Sequence, residues 1–157
     1  MLCGAVGTAA MDVFLFRRYR RRGGDARFAD WEFSRGLTGW EDAPAPAQVG
    51  RRVIEGLFHR SAPPERAAVI ANIMHWAYGL FWGAQYGLIG GSFDALRTVP
   101  SGACFGTIVW TGDYVVLPLM RIYKPIWEYD AKTLADDLSA HLVYGIATAA
   151  AFRLFES

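Results

Sequence analysis

The chain has 157 residues, a length that suits one domain. Hydrophobic residues make up 53% and aromatic residues 15%, both toward the high end for a soluble domain of this size. Two cysteines, Cys3 and Cys104, exclude a disulfide scaffold and a cysteine-based zinc site, and a net charge of +1 without a basic run interleaved with stacking aromatics argues against nucleic acid as a partner.

A bilayer core needs roughly 20 mostly apolar residues in one helix. Residues 1–16 form the first such stretch, interrupted only by Asp12. It is short for a span, and it fits a cleaved leader poorly, because its positive charges follow the apolar run instead of preceding it. Residues 17–66 then read as a long connection. Arg17, Arg18, Arg20, Arg21 and Arg22 suit anionic lipid headgroups beside a membrane. Phe28, Trp31, Phe33 and Trp40 fit an interface better than free water. Residues 43–47, with Pro44 and Pro46, read as a break. Val49, Val53, Ile54, Leu57 and Phe58 then recur at helical spacing, with Arg51, Arg52 and Glu55 opposite, which predicts a short amphipathic helix on the inner leaflet or against the bundle ends.

Residues 67–91 carry no charged side chain and form the clearest span; a soluble helix would show a polar face. Residues 100–120 form another, broken only by Asp113. Residues 121–137 form a second connection, with Tyr123, Trp127 and Tyr129 expected at headgroup level. Asp130 is placed to cap a helix that begins near Ala131 and continues into the last span, 138–155. The expected fold is therefore all-α: one polytopic membrane domain over 1–157, with four transmembrane helices in a glycine-packed bundle. Of 16 Lys and Arg, 11 lie in 17–66 and three in 121–137, so both connections are assigned to the cytoplasm and both termini to the outside.

Helices in lipid associate through small residues and polar contacts, because burial of apolar surface gains nothing there. Gly79, Gly83, Gly87 and Gly91 stand four apart as a glycine zipper, and Gly106 and Gly145 mark the facing spans. In each span the small-residue face also carries one ionisable residue: Asp12, His75, Asp113 or His141. With a rise of about 1.5 Å per residue, all four fall in the cytoplasmic half. They are expected to converge as an interior cluster that Asn72 and Tyr114 join. Such groups are costly in a membrane, so they face inward and pair. They serve as glue between helices or, because histidine titrates near neutrality, in proton-linked work. No cofactor is expected. His75 and His141 with an acid have the ligand types for a metal, and two histidines at similar depth suit a haem, but neither comes with a recognisable spacing. No nucleophile elbow, H-E-x-x-H or phosphate loop is present, which argues against a hydrolase.

The segments Asp-Trp-Glu-Phe-Ser at 30–34, Trp-Glu-Asp-Ala-Pro-Ala-Pro-Ala-Gln-Val-Gly-Arg at 40–51 and Tyr-Lys-Pro-Ile-Trp-Glu-Tyr-Asp at 123–130 resemble an uncharacterised family of small actinobacterial membrane proteins. In architecture alone the chain is similar to the YagU-type inner-membrane proteins, some linked to acid tolerance. The resemblance implies a bacterial inner membrane and supplies no catalytic residues. The reading is a non-enzymatic, multi-pass envelope or stress-related component, acting alone, as a homo-oligomer or with a membrane-protein partner. Its rivals are a proton- or solute-conducting protein and a haem- or metal-bearing redox subunit.

Overall fold

The computed structural model describes residues 2–90 and 98–155, and among these every regular element is helical. The helices are α1 (Leu2–Arg21), α2 (Phe28–Glu32), α3 (Ala45–Gly56), α4 (Ala67–Gly90), α5 (Val99–Leu119) and α6 (Ala131–Phe155). Helix α1 runs past the expected end at residue 16, through the arginines. Arginine is a good helix former, and cations in a last turn complement the helix dipole. It stops at Gly23, whose φ of 91° lets the Gly24 amide return to the Tyr19 carbonyl at 3.1 Å. Helix α3 begins at Ala45, inside the stretch read as a break. Pro46 sits in its first turn, where a missing N–H costs no hydrogen bond. Leu57 and Phe58, read as part of that helix, lie beyond its end. A capping box between Thr98 and Ser101 starts α5, and Pro118 falls in its last turn. Asp130 starts α6 by accepting from the Thr133 amide (2.9 Å) and hydroxyl (2.6 Å), and the helix then runs unbroken to Phe155.

The chain divides into two compact units, Met1–Leu15 with Tyr78–Ser157, and Phe16–Ala77. In the first, α1 buries Cys3, Gly4, Gly7, Thr8 and Asp12 along one helical stripe. Helix α6 buries Ala140, His141, Tyr144, Gly145, Thr148, Ala149, Ala151 and Phe152. Backbone meets backbone where glycines face one another. A Cβ on Gly4 would lie 2.5 Å from the Gly79 oxygen and 2.9 Å from the Gly83 Cα, and one on Gly102 would lie 2.7 Å from the Gly145 oxygen. A Cβ on Gly106 would strike the His141 carbonyl. By contrast, one on Gly87 meets only Phe152, at an ordinary 3.6 Å. Gly91 lies outside the described residues. Between these seams Tyr86, Phe105, Tyr144 and Phe152 fill the core in edge and tilted contacts of 4.7 to 6.0 Å. The Tyr144 hydroxyl donates to the Gly79 carbonyl at 2.6 Å.

The outward residues are the larger apolar ones: Leu2, Val6 and Val13 on α1, Phe81, Leu88 and Ile89 on α4, Ile108, Val115, Val116 and Leu119 on α5, and Leu154 and Phe155 on α6. Helices α5 and α6 are long and apolar enough to cross a membrane, yet only 28% and 44% of their apolar stretches are buried. Helix α4 has 24 residues and no Asp, Glu, Lys or Arg, although His75, Asn72, Gln85 and several aromatics temper its hydropathy.

The second unit is organised by aromatics. Phe16, Tyr19, Phe28 and Trp31 cluster at 5.1 to 6.4 Å between ring centres. Trp40 donates to the Ala62 carbonyl at 3.1 Å, accepts from Gln48 through its own carbonyl at 2.7 Å, and lies under the Arg51 guanidinium. Ala47 and Gly50 form the buried face of α3, and the missing side chain of Gly50 makes room for Ile70 and Met74. The Trp76 indole donates to Glu32 at 3.1 Å.

Candidate functional site

One group of ionisable side chains assembles within the first unit. The Asp113 carboxylate, on α5, lies between two partners. Its Oδ1 accepts from the Tyr78 hydroxyl of α4 at 2.6 Å, and its Oδ2 lies 3.1 Å from His141 Nε2 of α6. Three helices thus share one carboxylate. The pair is well covered, with side-chain exposures of 10% for His141 and 16% for Asp113.

The hydrogen bonds fix where protons sit. His141 Nδ1 lies 3.0 Å from the main-chain oxygen of Asp137. A carbonyl only accepts, so Nδ1 carries hydrogen. The neutral ring then has a bare Nε2, a second acceptor, facing the Asp113 oxygen. Two acceptors at 3.1 Å attract only if a proton lies between them. The pair therefore holds one proton beyond Nδ1–H, as imidazolium and carboxylate or as imidazole and carboxylic acid; in a covered site the two forms are one coupled system.

Around this pair lies a ring of phenols and a second acid. Asp137 is one turn before His141 on α6, with Oδ1 3.7 Å from Nδ1 and a side chain 30% exposed. Tyr114 and Trp110 lie close to it, and its Oδ2 and the Trp110 indole nitrogen are both buried without a hydrogen-bond partner among the described residues. Tyr114 is buried and packs on Trp110 at 5.0 Å and on Tyr123 and Tyr129 at 5.5 Å. Burial, then the charges of Asp137 and Asp113, push the Tyr123 phenol well above its ordinary value, so it stays a neutral donor. Trp127 stands apart from this group, 81% exposed.

Of the residues singled out in the sequence, Asp113 and His141 are brought together, and Tyr114 stands beside the neighbouring acid. Asp12 is buried on α1 in the same unit, 3% exposed. His75 belongs to the second unit, where its ring meets Trp76 edge-on at 6.5 Å. Asn72, also in that unit, donates to the Ala68 carbonyl of its own helix at 2.9 Å. Gly79 and Gly83 face α1, and Gly106 and Gly145 face each other across α5 and α6. Tyr78 and Asp137 were not singled out. Asp137 stands four residues before His141, a spacing that puts two side chains on one helical face, and that was the available signal. Tyr78 adjoins a glycine of the small-residue row, and nothing in its position separates it from other span aromatics. Among the described residues no three His, Cys, Asp or Glu side chains gather as a metal site would require. Cys3 is buried and Cys104 exposed, and neither forms a disulfide among the described residues.

Comparison with known proteins finds no matching family model, no similar curated protein and no similar solved structure.

Proposed function

We propose that the chain is a four-span, non-enzymatic component of a bacterial inner membrane that responds to pH through the proton held between Asp113 and His141. The observation that supports it is the distribution of side chains. Large apolar residues of all four long helices face out, among them Val6, Phe81, Leu88, Ile108, Val115 and Leu154, while Thr8, Asp12, His141 and Thr148 lie inside with the glycines and an aromatic core. So much apolar surface facing out is costly in water but not in lipid, where close backbone approach and polar contacts join the helices. On this reading α1, α4, α5 and α6 are the spans. Twenty and 24 residues at about 1.5 Å each make α1 and α4 long enough. The basic connections lie in the cytoplasm with both termini outside, and the Arg17 to Arg22 cluster rests on anionic headgroups.

The proton-linked role follows from the acceptor pair at 3.1 Å, tied through Tyr78 to a third helix. A change in its protonation alters the attraction between α5 and α6 directly. Conduction of the proton is the second reading, favoured by the run of phenols that continues from the pair to Tyr123 and Tyr129.

Two measurements test this. The protein should stay with membranes through alkaline extraction, and a thiol at Ser34→Cys should react with an impermeant maleimide only after cells are opened. Nitrogen NMR of histidine-labelled protein in detergent should find His141 with hydrogen on Nδ1 and an Nε2 that is protonated or accepts a proton from Asp113, with a signal that Asp113→Asn shifts. Release into the soluble fraction would end the membrane reading. An Nε2 signal of a free imidazole nitrogen, unmoved by Asp113→Asn across the accessible pH range, would end the proton reading.

A further inference from the structure

The Asp113–His141 pair is covered, so a proton needs a way in. We propose that Asp137 is that port: its carboxyl exchanges protons with water at the start of α6 and passes them through the His141 imidazole to Asp113. The inference rests on the proton-binding reading above and adds the residue and direction of entry.

Three observations carry it. Asp137 Oδ1 stands 3.7 Å from His141 Nδ1, on the opposite side of the ring from Asp113 Oδ2 at 3.1 Å from Nε2, so the imidazole bridges two acids. Of the three side chains Asp137 is the most open, at 30% against 16% and 10%. Its carboxylate is not needed to orient the ring, because the main-chain oxygen of the same residue already accepts from Nδ1 at 3.0 Å. The carboxylate stands one helical turn from the imidazole, so the rigid α6 backbone sets the spacing.

The transfer conserves protons and charge. In the receiving state, which differs from the structure in that Nδ1 has given up its hydrogen and faces the Asp137 carboxyl instead of the main-chain oxygen, His141 is neutral with hydrogen on Nε2, Asp113 is ionised and Asp137 carries a proton. The O–H bond of Asp137 breaks and an N–H bond forms at Nδ1. The Nε2–H bond breaks and an O–H bond forms at Asp113 Oδ2. The ring ends neutral with hydrogen on Nδ1, which then turns to the Asp137 main-chain oxygen. Asp137 is left ionised and takes its next proton from water. A small rotation about the side chain closes the 3.7 Å gap. The other titratable groups around the path are Tyr78 on α4, Tyr114 on α5, Tyr123 and Tyr129 in the following connection, and Tyr144 on α6. All are phenols, whose hydroxyl groups can both donate and accept.

The test is exchange of the His141 ring protons with water, followed by nitrogen NMR on histidine-labelled protein in detergent and assigned by loss of the signal in His141→Gln. Asp137→Asn should leave the ring-nitrogen spectrum of His141 as in the wild type. It should slow their exchange on the order of a hundredfold, the low end of what a positioned acid–base group contributes. Unchanged exchange in that variant would overturn the port. The wild type gives an independent reading should the variant not fold: hydrogen on Nδ1 should exchange before hydrogen on Nε2, and the reverse order would place entry on the Asp113 side. A wild-type Nε2 signal of a free imidazole nitrogen that Asp113→Asn does not move would instead defeat the proton-binding reading, whatever Asp137 does.

Discussion

The α5–α6 seam allows a sharp test with one methyl group. At Gly145 a Cβ would lie 2.6 Å from the Gly106 nitrogen and 2.8 Å from its Cα, and nearer still to the Gly102 oxygen. Ordinary contact begins near 3.4 Å, and all three obstacles are backbone, so no rotamer relieves them. Gly145→Ala must therefore part the helices by about an ångström, and overpacking of that kind costs about 1–3 kcal/mol. The same displacement acts one turn away, where His141 meets Asp113. It would stretch their 3.1 Å contact to about 4 Å, beyond hydrogen-bond range. Gly87→Ala is the matched control. Its Cβ finds only Phe152 at 3.6 Å, and replacing a helical glycine there should gain about 0.5–1 kcal/mol. Reversible unfolding in detergent measures both, and the His141 nitrogen spectrum reports the contact. If Gly145→Ala matched Gly87→Ala to within about 0.5 kcal/mol, the helices would not be packed backbone to backbone, and the reasoning would fail.

The remaining expectations concern the polar groups and the second unit. Asp113→Asn can still accept from Tyr78 and can donate to Nε2, so it should fold, whereas Asp113→Ala strands both partners and should lose about 1–3 kcal/mol in the same unfolding assay. Gly50→Val pushes on Ile70 and Met74; both are side chains that can yield, so about 1–2 kcal/mol of destabilisation is expected by denaturant titration. At the start of α6 the Thr133 hydroxyl and amide hold the Asp130 carboxyl below its ordinary value. The cap is therefore fully present above the unfolded carboxylate value and fades as pH falls through the lower folded one. The Thr133 amide should exchange faster at roughly pH 2 than at pH 6 after correction for intrinsic rates, and Asp130→Ala should remove that difference.

Much of the helical layout is legible in the chain because charge and its absence mark the apolar segments directly. The charge-free stretch from Ala67 becomes α4, and Asp130 followed by Ala131 gives the start of a helix that continues through Leu138. Boundaries set by proline and arginine are harder to read. Pro46 looks like a breaker in the chain but sits in a first turn, and Arg17 to Arg21 look like the start of a loop but extend a helix. The neighbourhood of the site was readable only in part. Helical phase puts Asp113 and His141 on faces that carry glycine, but phase gives no distance along a neighbouring helix. Depth counted from the apolar ends gives His75 the same level as the others; within the second unit its ring meets Trp76. Asp137 falls before the apolar segment, so the small-residue pattern passes over it, although the helix expected from Ala131 already carries it. How far Tyr78 reaches across to Asp113 depends on helix separation, which is set by glycine contacts that no single segment encodes.

The division between the two thiols gives the natural chain a built-in reporter. Cys3 is enclosed, while Cys104 is exposed on α5, one turn from the exposed Ile108. Only the thiolate reacts readily with alkylating agents, and hydrocarbon suppresses its formation. Cys104 would then be inert toward maleimide in intact vesicles and would become modified once sodium dodecyl sulfate replaces the surrounding acyl chains, so a single mass shift distinguishes an oily environment from an aqueous one without any engineered residue.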